Sequence, residues 1–255
     1  MGRPQRQSGH QCRGLRDRQR HGSDLTSHSV SPGGVRSANI WDHPATYELE
    51  NRACDPDRLI EAALTPWTGR DVLDVGCGTG FHLPRWSDGA RQVIGVEPHS
   101  GLCRIAARRT RSLPTVKVLQ GSATALPVPD ASVDWMQARW AYFFGPGCEP
   151  GLRELDRVMR RGGVAHVIDN DPTQSTFGGW FRRGYPKINP ELVELFWFSR
   201  GWRRTPVLMR WEFDSRSDFE AVVRIEFDPD TADWIIAQHQ RCSVDYAVNV
   251  WTKEF

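Results

Sequence analysis

Between residues 50 and 170 short apolar runs alternate with glycine-rich or polar breaks and with apolar positions at helical spacing, without any internal sequence repeat. The runs Asp71–Val75, Gln92–Val96, Thr115–Leu119, Val133–Ala138 and Val164–Asp169 read as strands, and the apolar residues of the first fit a strand covered on both faces. Helices are predicted between them. Asp55-Pro56 has the chemistry of a helix start, with Leu59, Ile60, Ala63 and Leu64 as its apolar face. Further helices are expected over Phe81–Ser87, from Pro98 to Arg109 and from Pro150 to Met159, the last stopping at Arg161-Gly162-Gly163. Alternating strands and helices build an α/β fold, a Rossmann-like, doubly wound and mostly parallel sheet with helices on both faces. Beyond Asp171 the pattern loosens. A helix is predicted from Pro190 to Ser199, a strand over Val207–Phe213, two short helices between Ser217 and Gln238, and a final strand over Val244–Trp251.

Residues 1–38 differ in kind: they are rich in Arg, Gln, Ser, Gly and His and hold few large apolar side chains. Such a segment buries too little surface to offset its ordering entropy, so it reads as a disordered tail. The rest, 39–255, reads as a single domain, with a ligand-binding core over 39–171 and an aromatic-rich, substrate-side segment over 172–255. A net charge of +2 gives no reason to expect a nucleic-acid or membrane partner. No apolar run reaches the roughly 18 residues of a membrane span. The six cysteines are scattered without a C-x-x-C pair, which argues against a metal site and suits the cytoplasm.

In open parallel sheets ligands bind beyond the carboxyl ends of the strands, so the residues that end each strand carry the chemistry. After the first strand stands Asp74-Val75-Gly76-Cys77-Gly78-Thr79-Gly80. The alternating glycines admit positive φ and close ligand approach. The spacing G-x-G-x-G differs from the dinucleotide pattern, and Asp74 beside the loop repels a pyrophosphate but suits an ammonium or sulfonium group. The second strand ends at Glu97, a carboxylate placed to accept ribose hydroxyls, followed by Pro98. The third leads into Gly121-Ser122-Ala123-Thr124-Ala125-Leu126-Pro127-Val128-Pro129-Asp130, and Val133-Asp134-Trp135 opens the fourth.

These four segments, in this order, resemble the motifs of the class I S-adenosylmethionine (SAM) dependent methyltransferases of the small-molecule type, and strings such as Arg139-Trp140-Ala141-Tyr142-Phe143-Phe144-Gly145-Pro146-Gly147-Cys148 and Trp211-Glu212-Phe213 resemble an actinobacterial branch of them. The resemblance implies SAM as cofactor. It assigns cofactor contact to Asp74, Gly76, Cys77, Gly78, Gly80, Glu97, Pro98, Ser122, Ala123 and Arg139. Ser122 stands where the family commonly has an acid that receives the adenine amino group; its hydroxyl oxygen can still accept. Two other readings stay open: an NAD(P)-dependent oxidoreductase on the same fold, and a SAM-binding protein without turnover.

The acceptor is less legible. Side chains at the carboxyl edge able to touch it are His82, Arg139, Trp140, Tyr142, Asp169, Asn170 and Asp171. His82, Tyr142, Asp169 and Asp171 are the candidates for chemistry, each with a packing or capping role as its alternative. Gln137-Ala138-Arg139-Trp140 occupies the place of the N/D-P-P-Y/F motif of amino-directed DNA methyltransferases, and no Pro-Cys pair is present, so nucleic acid is disfavoured. The aromatic series Phe177, Trp180, Phe181, Tyr185, Phe196, Trp197, Phe198 and Trp202 either walls an apolar pocket or forms core. A small, partly apolar metabolite fits best.

Overall fold

The computed structural model describes residues 28–255. Of the expected tail, residues 1–27 lie outside the described residues, whereas 28–37 lie against the sheet's carboxyl edge.

Among the described residues seven strands form one sheet: β1 (Asp71–Val75), β2 (Gln92–Glu97), β3 (Val116–Gln120), β4 (Val133–Arg139), β5 (Met159–Asn170), β6 (Arg203–Glu212) and β7 (Ser243–Glu254). Their order is β3-β2-β1-β4-β5-β7-β6. The first five run parallel, while β7 pairs antiparallel with both β5 and β6. The doubly wound, mostly parallel sheet expected from the apolar runs is therefore present. The order reverses at β1 and β4, and a crevice opens at such a switch point.

Three strands are longer than their sequence pattern suggests: β5, β6 and β7, the last running to Glu254 rather than Trp251. β5 starts at Met159, ahead of the expected turn, because Gly162 (φ 81°) donates to Phe255 O and Phe255 N donates to Gly163 O. β6 begins at Arg203 and contains Pro206, which interrupts the apolar alternation that marks a strand. An edge strand tolerates this, since one side of its backbone needs no partner.

Helices α1 (Ala38–Asp42), α2 (Pro44–Ala53) and α3 (Leu59–Ala62) precede the sheet, followed by α4 (Leu83–Ser87), α5 (Ser100–Arg109) and α6 (Glu149–Val158). Asp55 does cap a helix, accepting from Leu59 N and Ile60 N, but from φ 56° and for a single turn. The later helices are α7 (Ser175–Gly184), α8 (Pro190–Phe198), α9 (Arg216–Glu226) and α10 (Pro229–Gln238). α7 escapes the sequence pattern because Gly178 and Gly179, both poor helix formers, lie inside it. Gly178 is needed there: a Cβ would come within 2.7 Å of Asp171 O.

The aromatic series is mostly core. Phe177, Trp180, Phe196, Trp197 and Trp202 are buried, Phe198 and Tyr185 face solvent, and Phe181 reaches a small cavity.

The cover formed by α1 and α2 meets α9 through acids. Asn39 Nδ2 donates to Glu226 Oε1 at 2.6 Å, and Glu226 hydrogen-bonds Glu50 on α2. Burial pushes both carboxyls above their ordinary range; the charge and hydrogen bond of Glu226 raise Glu50 further, while hydrogen bonds with Asn39 and Glu50 hold Glu226 back. Folded values above unfolded ones mean that stability falls as pH rises from the ordinary carboxylate range through the folded values. Glu50→Gln should remove that loss, raising stability by about 1–2 kcal/mol at pH 8 and by much less at pH 5. Urea melts at the two pH values check it; an equal effect at both would refute the assignment.

Candidate ligand site

Each strand of the parallel half delivers its last residues to one rim. A cavity of about 440 Å³ opens there, bordered by the loops after β1, β2, β3 and β4 and by residues 33–51.

The first wall is the loop after β1. Gly76, Gly78 and Gly80 take φ of 76°, 53° and 73°, values a side chain rarely adopts. The first two border the cavity, and a Cβ on Gly78 would lie 2.6 Å from Ile40 Cδ1 of α1. Gly80 is different. It faces α5, where a Cβ would come within 2.9 Å of Ala106 Cβ, so it serves helix–strand packing rather than the cavity.

Two carboxylates flank this loop. Asp74 is buried, accepts from Gln137 Nε2 at 3.3 Å, and borders the cavity. Burial pushes its pKa up to about 7, against the pull of the Gln137 hydrogen bond and the Arg139 charge. Glu97, also buried, accepts from His99 N through Oε1 (3.0 Å) and from Gly78 N through Oε2 (3.1 Å). Burial again raises it to about 7, opposed by those two backbone donors. Neither acid has an ion-pair partner among the described residues, and both face the same space. Two uncompensated buried carboxylates cost stability unless a ligand meets them.

The loop after β3 brings Gly121, Ser122 and Ala123 to the rim. Ser122 Oγ donates to Pro32 O at 2.8 Å, holding the segment 29–37 across this end. The segment is fixed further by Ser31 N to Pro98 O (3.0 Å) and Ser100 N to Ser29 O (2.9 Å). Gly33 (φ 76°) leaves no room for a side chain, since its Cβ would overlap Thr124 Oγ1. Gly33→Ala should therefore loosen this wall and weaken ligand binding about fivefold or more, through roughly 1 kcal/mol of left-handed strain plus the overlap. Titration calorimetry reads it; unchanged affinity would mean the segment does not belong to the site.

The fourth wall follows β4: Arg139, Trp140, Ala141, Tyr142, Phe144, Gly145, Pro146, Gly147 and Cys148. Trp140 and Tyr142 hold φ of 47° and 55°. Bulky residues adopt this region only when their surroundings force it, and such strain collects at ligand sites. Trp140 is fixed by Nε1 donating to Asn170 Oδ1 at 2.7 Å, an oxygen that Tyr246 also donates to.

Of the residues the sequence singled out, Asp74, Gly76, Cys77, Gly78, Glu97, Pro98, Ser122, Ala123 and Arg139 share this cavity with His82 and Tyr142. Burial and the charges of Arg139 and Arg109 press His82 well below its usual pKa, so it stands neutral. Asp169 and Asp171 lie elsewhere, in a cavity of about 60 Å³ that shares Phe144 with the larger one. Asp171 is occupied: it accepts from Thr173 N (2.8 Å) and pairs with Arg204 (2.8 Å). Burial raises Asp169 to about 7. Sequence reasoning missed Arg36, Ile40, Trp41, Tyr47, Asn51 and Phe81, and the segment 33–37; Phe81 directly follows the glycine loop and Pro32-Gly33-Gly34 marks a turn, whereas Ile40, Trp41, Tyr47 and Asn51 follow no strand end.

Comparison with known proteins agrees with this geometry. Residues 73–167 match the family model described as a methyltransferase domain. A Mycolicibacterium smegmatis protein described as a "Probable S-adenosylmethionine-dependent methyltransferase" is 35% identical over 167 residues, covering 60% of this chain and 53% of its own. A Staphylococcus aureus demethylmenaquinone methyltransferase is 26% identical over 132 residues, covering 50% and 55%. The chain thus spans about half the length of the curated relatives it matches. Among solved structures, the YcgJ protein of Bacillus subtilis superposes with a TM-score of 0.54 at 18% identity, covering 82% of this chain and 97% of that one. Geranyl diphosphate methyltransferase gives 0.52 at 16%, covering 89% and 90%. These two show the same fold. Through its strand-and-loop core, residues 73–167, the chain matches a methyltransferase domain and is similar to proteins described as SAM-dependent methyltransferases.

Proposed function

We propose that the protein transfers the methyl group of SAM to a small, partly apolar metabolite. The observation that carries this is the pair Asp74 and Glu97: two buried carboxylates without cationic partners, flanking one glycine loop and opening on one cavity. A dinucleotide would bring a pyrophosphate to that loop, where Asp74 repels it. The residues fit SAM instead. All these residues line the one cavity: Asp74 would meet an ammonium, Glu97 would accept ribose hydroxyls, Gly76 and Gly78 would admit close backbone approach, and Ser122, Ala123 and Pro98 would hold the adenine.

When bound, SAM supplies an activated methyl and its own leaving group. The chain's part is alignment, which by itself supplies much of such a rate. The walls after β4 and over 33–41 would shield a bound ligand from water. Neutral His82 at the cavity can accept a proton at a ring nitrogen from a hydroxyl acceptor, and Tyr142 borders the same cavity. The aromatic wall of Trp41, Phe81, Trp140, Tyr142 and Phe144 suits an apolar acceptor, and a relative named for demethylmenaquinone supports that class. Among the described residues no helix is long and apolar enough to cross a membrane, and we place the reaction in the cytoplasm. Titration with SAM, S-adenosylhomocysteine and NAD(P) tests the reading. We expect micromolar binding of the first two and none of the third; binding of NAD(P) alone would overturn it, and binding without transfer to a metabolite extract would leave a sensor.

A further inference from the structure

The smaller cavity, of about 60 Å³, lies where the carboxyl end of β5 meets β7 and α8, beside the ligand site but outside it. That space admits a head group of about four to six non-hydrogen atoms. Its walls are largely apolar: Phe144, Phe181, Ile188, Pro190, Val193 and Trp251. Most of the polar groups it touches are occupied. Asn170 Oδ1 accepts from Trp140 Nε1 and Tyr246 Oη, while Asp171, Glu194 and Asn249 all accept from Arg204. Asp169 is the exception. It is 8% exposed, and among the described residues its carboxylate accepts one hydrogen bond, from Asn170 N to Oδ1 at 2.7 Å. No cation lies near enough to draw its pKa down, and burial raises it to about 7. An ionised carboxylate in such a place costs stability until a positive group meets it.

Two features tie this pocket to the larger cavity. Phe144, half exposed on the loop after β4, borders both, so the two spaces adjoin at that side chain. Asn170, next to Asp169, fixes Trp140 in the larger cavity's wall. An ammonium brings positive charge and several donors, and an apolar body attached to it suits the surrounding walls. A carboxylate or phosphate would bring like charge to Asp169 and is selected against. We propose that the smaller cavity binds a protonated amine with Asp169 as its counter-charge, and that the methyl acceptor is an apolar molecule bearing that amine. This rests on the methyl-transfer reading above and names the class of its acceptor. An ammonium held there has no free electron pair. The methyl therefore goes to another atom of the same molecule, one that reaches the larger cavity, and the product keeps its basic nitrogen. Asp169 is in this sense a specificity residue: it selects the acceptor by charge.

The test uses the intact chain and a pair of probes of one shape, benzylamine and benzyl alcohol. Both are titrated into protein saturated with S-adenosylhomocysteine, so that the acids of the larger cavity are already taken up. The ratio of the two affinities is read within each sample, so a loss of folded protein cancels. The wild type should bind the amine about tenfold or more tightly than the alcohol, as a charge-assisted pair sheltered from water implies. Asp169→Asn keeps the side chain's shape and removes its charge. It should bring the probes within about twofold of each other, with S-adenosylhomocysteine affinity also within about twofold of wild type. A second arm offers labelled SAM and a metabolite extract. The labelled product should be retained on a cation exchanger at neutral pH, and at limiting extract the variant should form about tenfold less of it. A wild type that does not prefer the amine, a preference that survives Asp169→Asn, or label confined to neutral and acidic products each overturns the proposal. Failure of S-adenosylhomocysteine to bind, or the absence of any labelled product, overturns the methyl-transfer reading and the acceptor's role with it. The amine site then stands or falls on the probes alone, titrated into the ligand-free wild type and variant.

Discussion

Asp74→Asn should weaken SAM binding by about a hundredfold while leaving the ligand-free protein more stable than the wild type. The two halves of this result have one cause. Asp74 lies at the end of β1, buried, with one side-chain donor, Gln137, at 3.3 Å. Burial raises its pKa to about 7. A folded value above the unfolded one means the free protein is penalised progressively as pH rises from about 4 through 7, where the carboxylate must ionise in a dry place. The penalty is at most on the order of 4 kcal/mol at pH 8, and an amide escapes it. A ligand ammonium would repay the charge in the wild type but finds no charge in the variant. Denaturation of the free proteins at pH 5 and pH 8, alongside calorimetry with S-adenosylhomocysteine, measures both halves. A variant that is less stable and still binds would remove Asp74 from the site. The same titration predicts that wild-type affinity declines below pH 7, as a bound cation loses its counter-charge.

The second large effect concerns the scaffold. Trp251 on β7 is completely buried, stacked near parallel to Trp197 with ring centres 5.8 Å apart, and belongs to the core cluster that includes Leu73, Met136 and Ala138. Trp251→Ala should cost about 3–5 kcal/mol through lost burial and the cavity left behind. For a chain of this length that lowers the melting temperature by roughly 6–20 °C. Differential scanning calorimetry measures the drop. Because β5 lies between β7 and the ligand-bearing half, affinity for S-adenosylhomocysteine in the fraction still folded should stay within about twofold of wild type. A small drop would mean that the aromatic layer repacks.

What the sequence disclosed about the site was local chemistry. Asp74 through Gly78, Glu97 and Ser122 each sit where an apolar run stops and the chain must turn, so strand end and ligand contact are written in adjacent letters. Gly80 obeys the same pattern but faces Ala106, because alternate positions of a loop point to different sides and spacing alone does not say which. Tyr47, Asn51 and the segment 33–37 carried no such mark. The segment 33–37 reaches the cavity through long-range docking, as Pro32 on Ser122 90 positions away shows, and such docking leaves no periodic trace. Asp171 was singled out for lying just after a strand; the Arg204 that occupies it comes from β6, 33 residues on.

The edge strand β6 bears on how molecules of this chain meet one another. A sheet's last strand offers unpaired backbone groups to any second strand, and chains that leave such an edge bare tend to clump. Here the edge carries Arg203, Arg204 and Arg210, has Pro206 without an N–H at its middle, and ties Arg210 to Asp57 and Arg203 to Glu254. Charge, a missing donor and side-chain clasps together make that border a poor template. Concentrated solutions of the protein are thereby protected from edge-to-edge growth on this side.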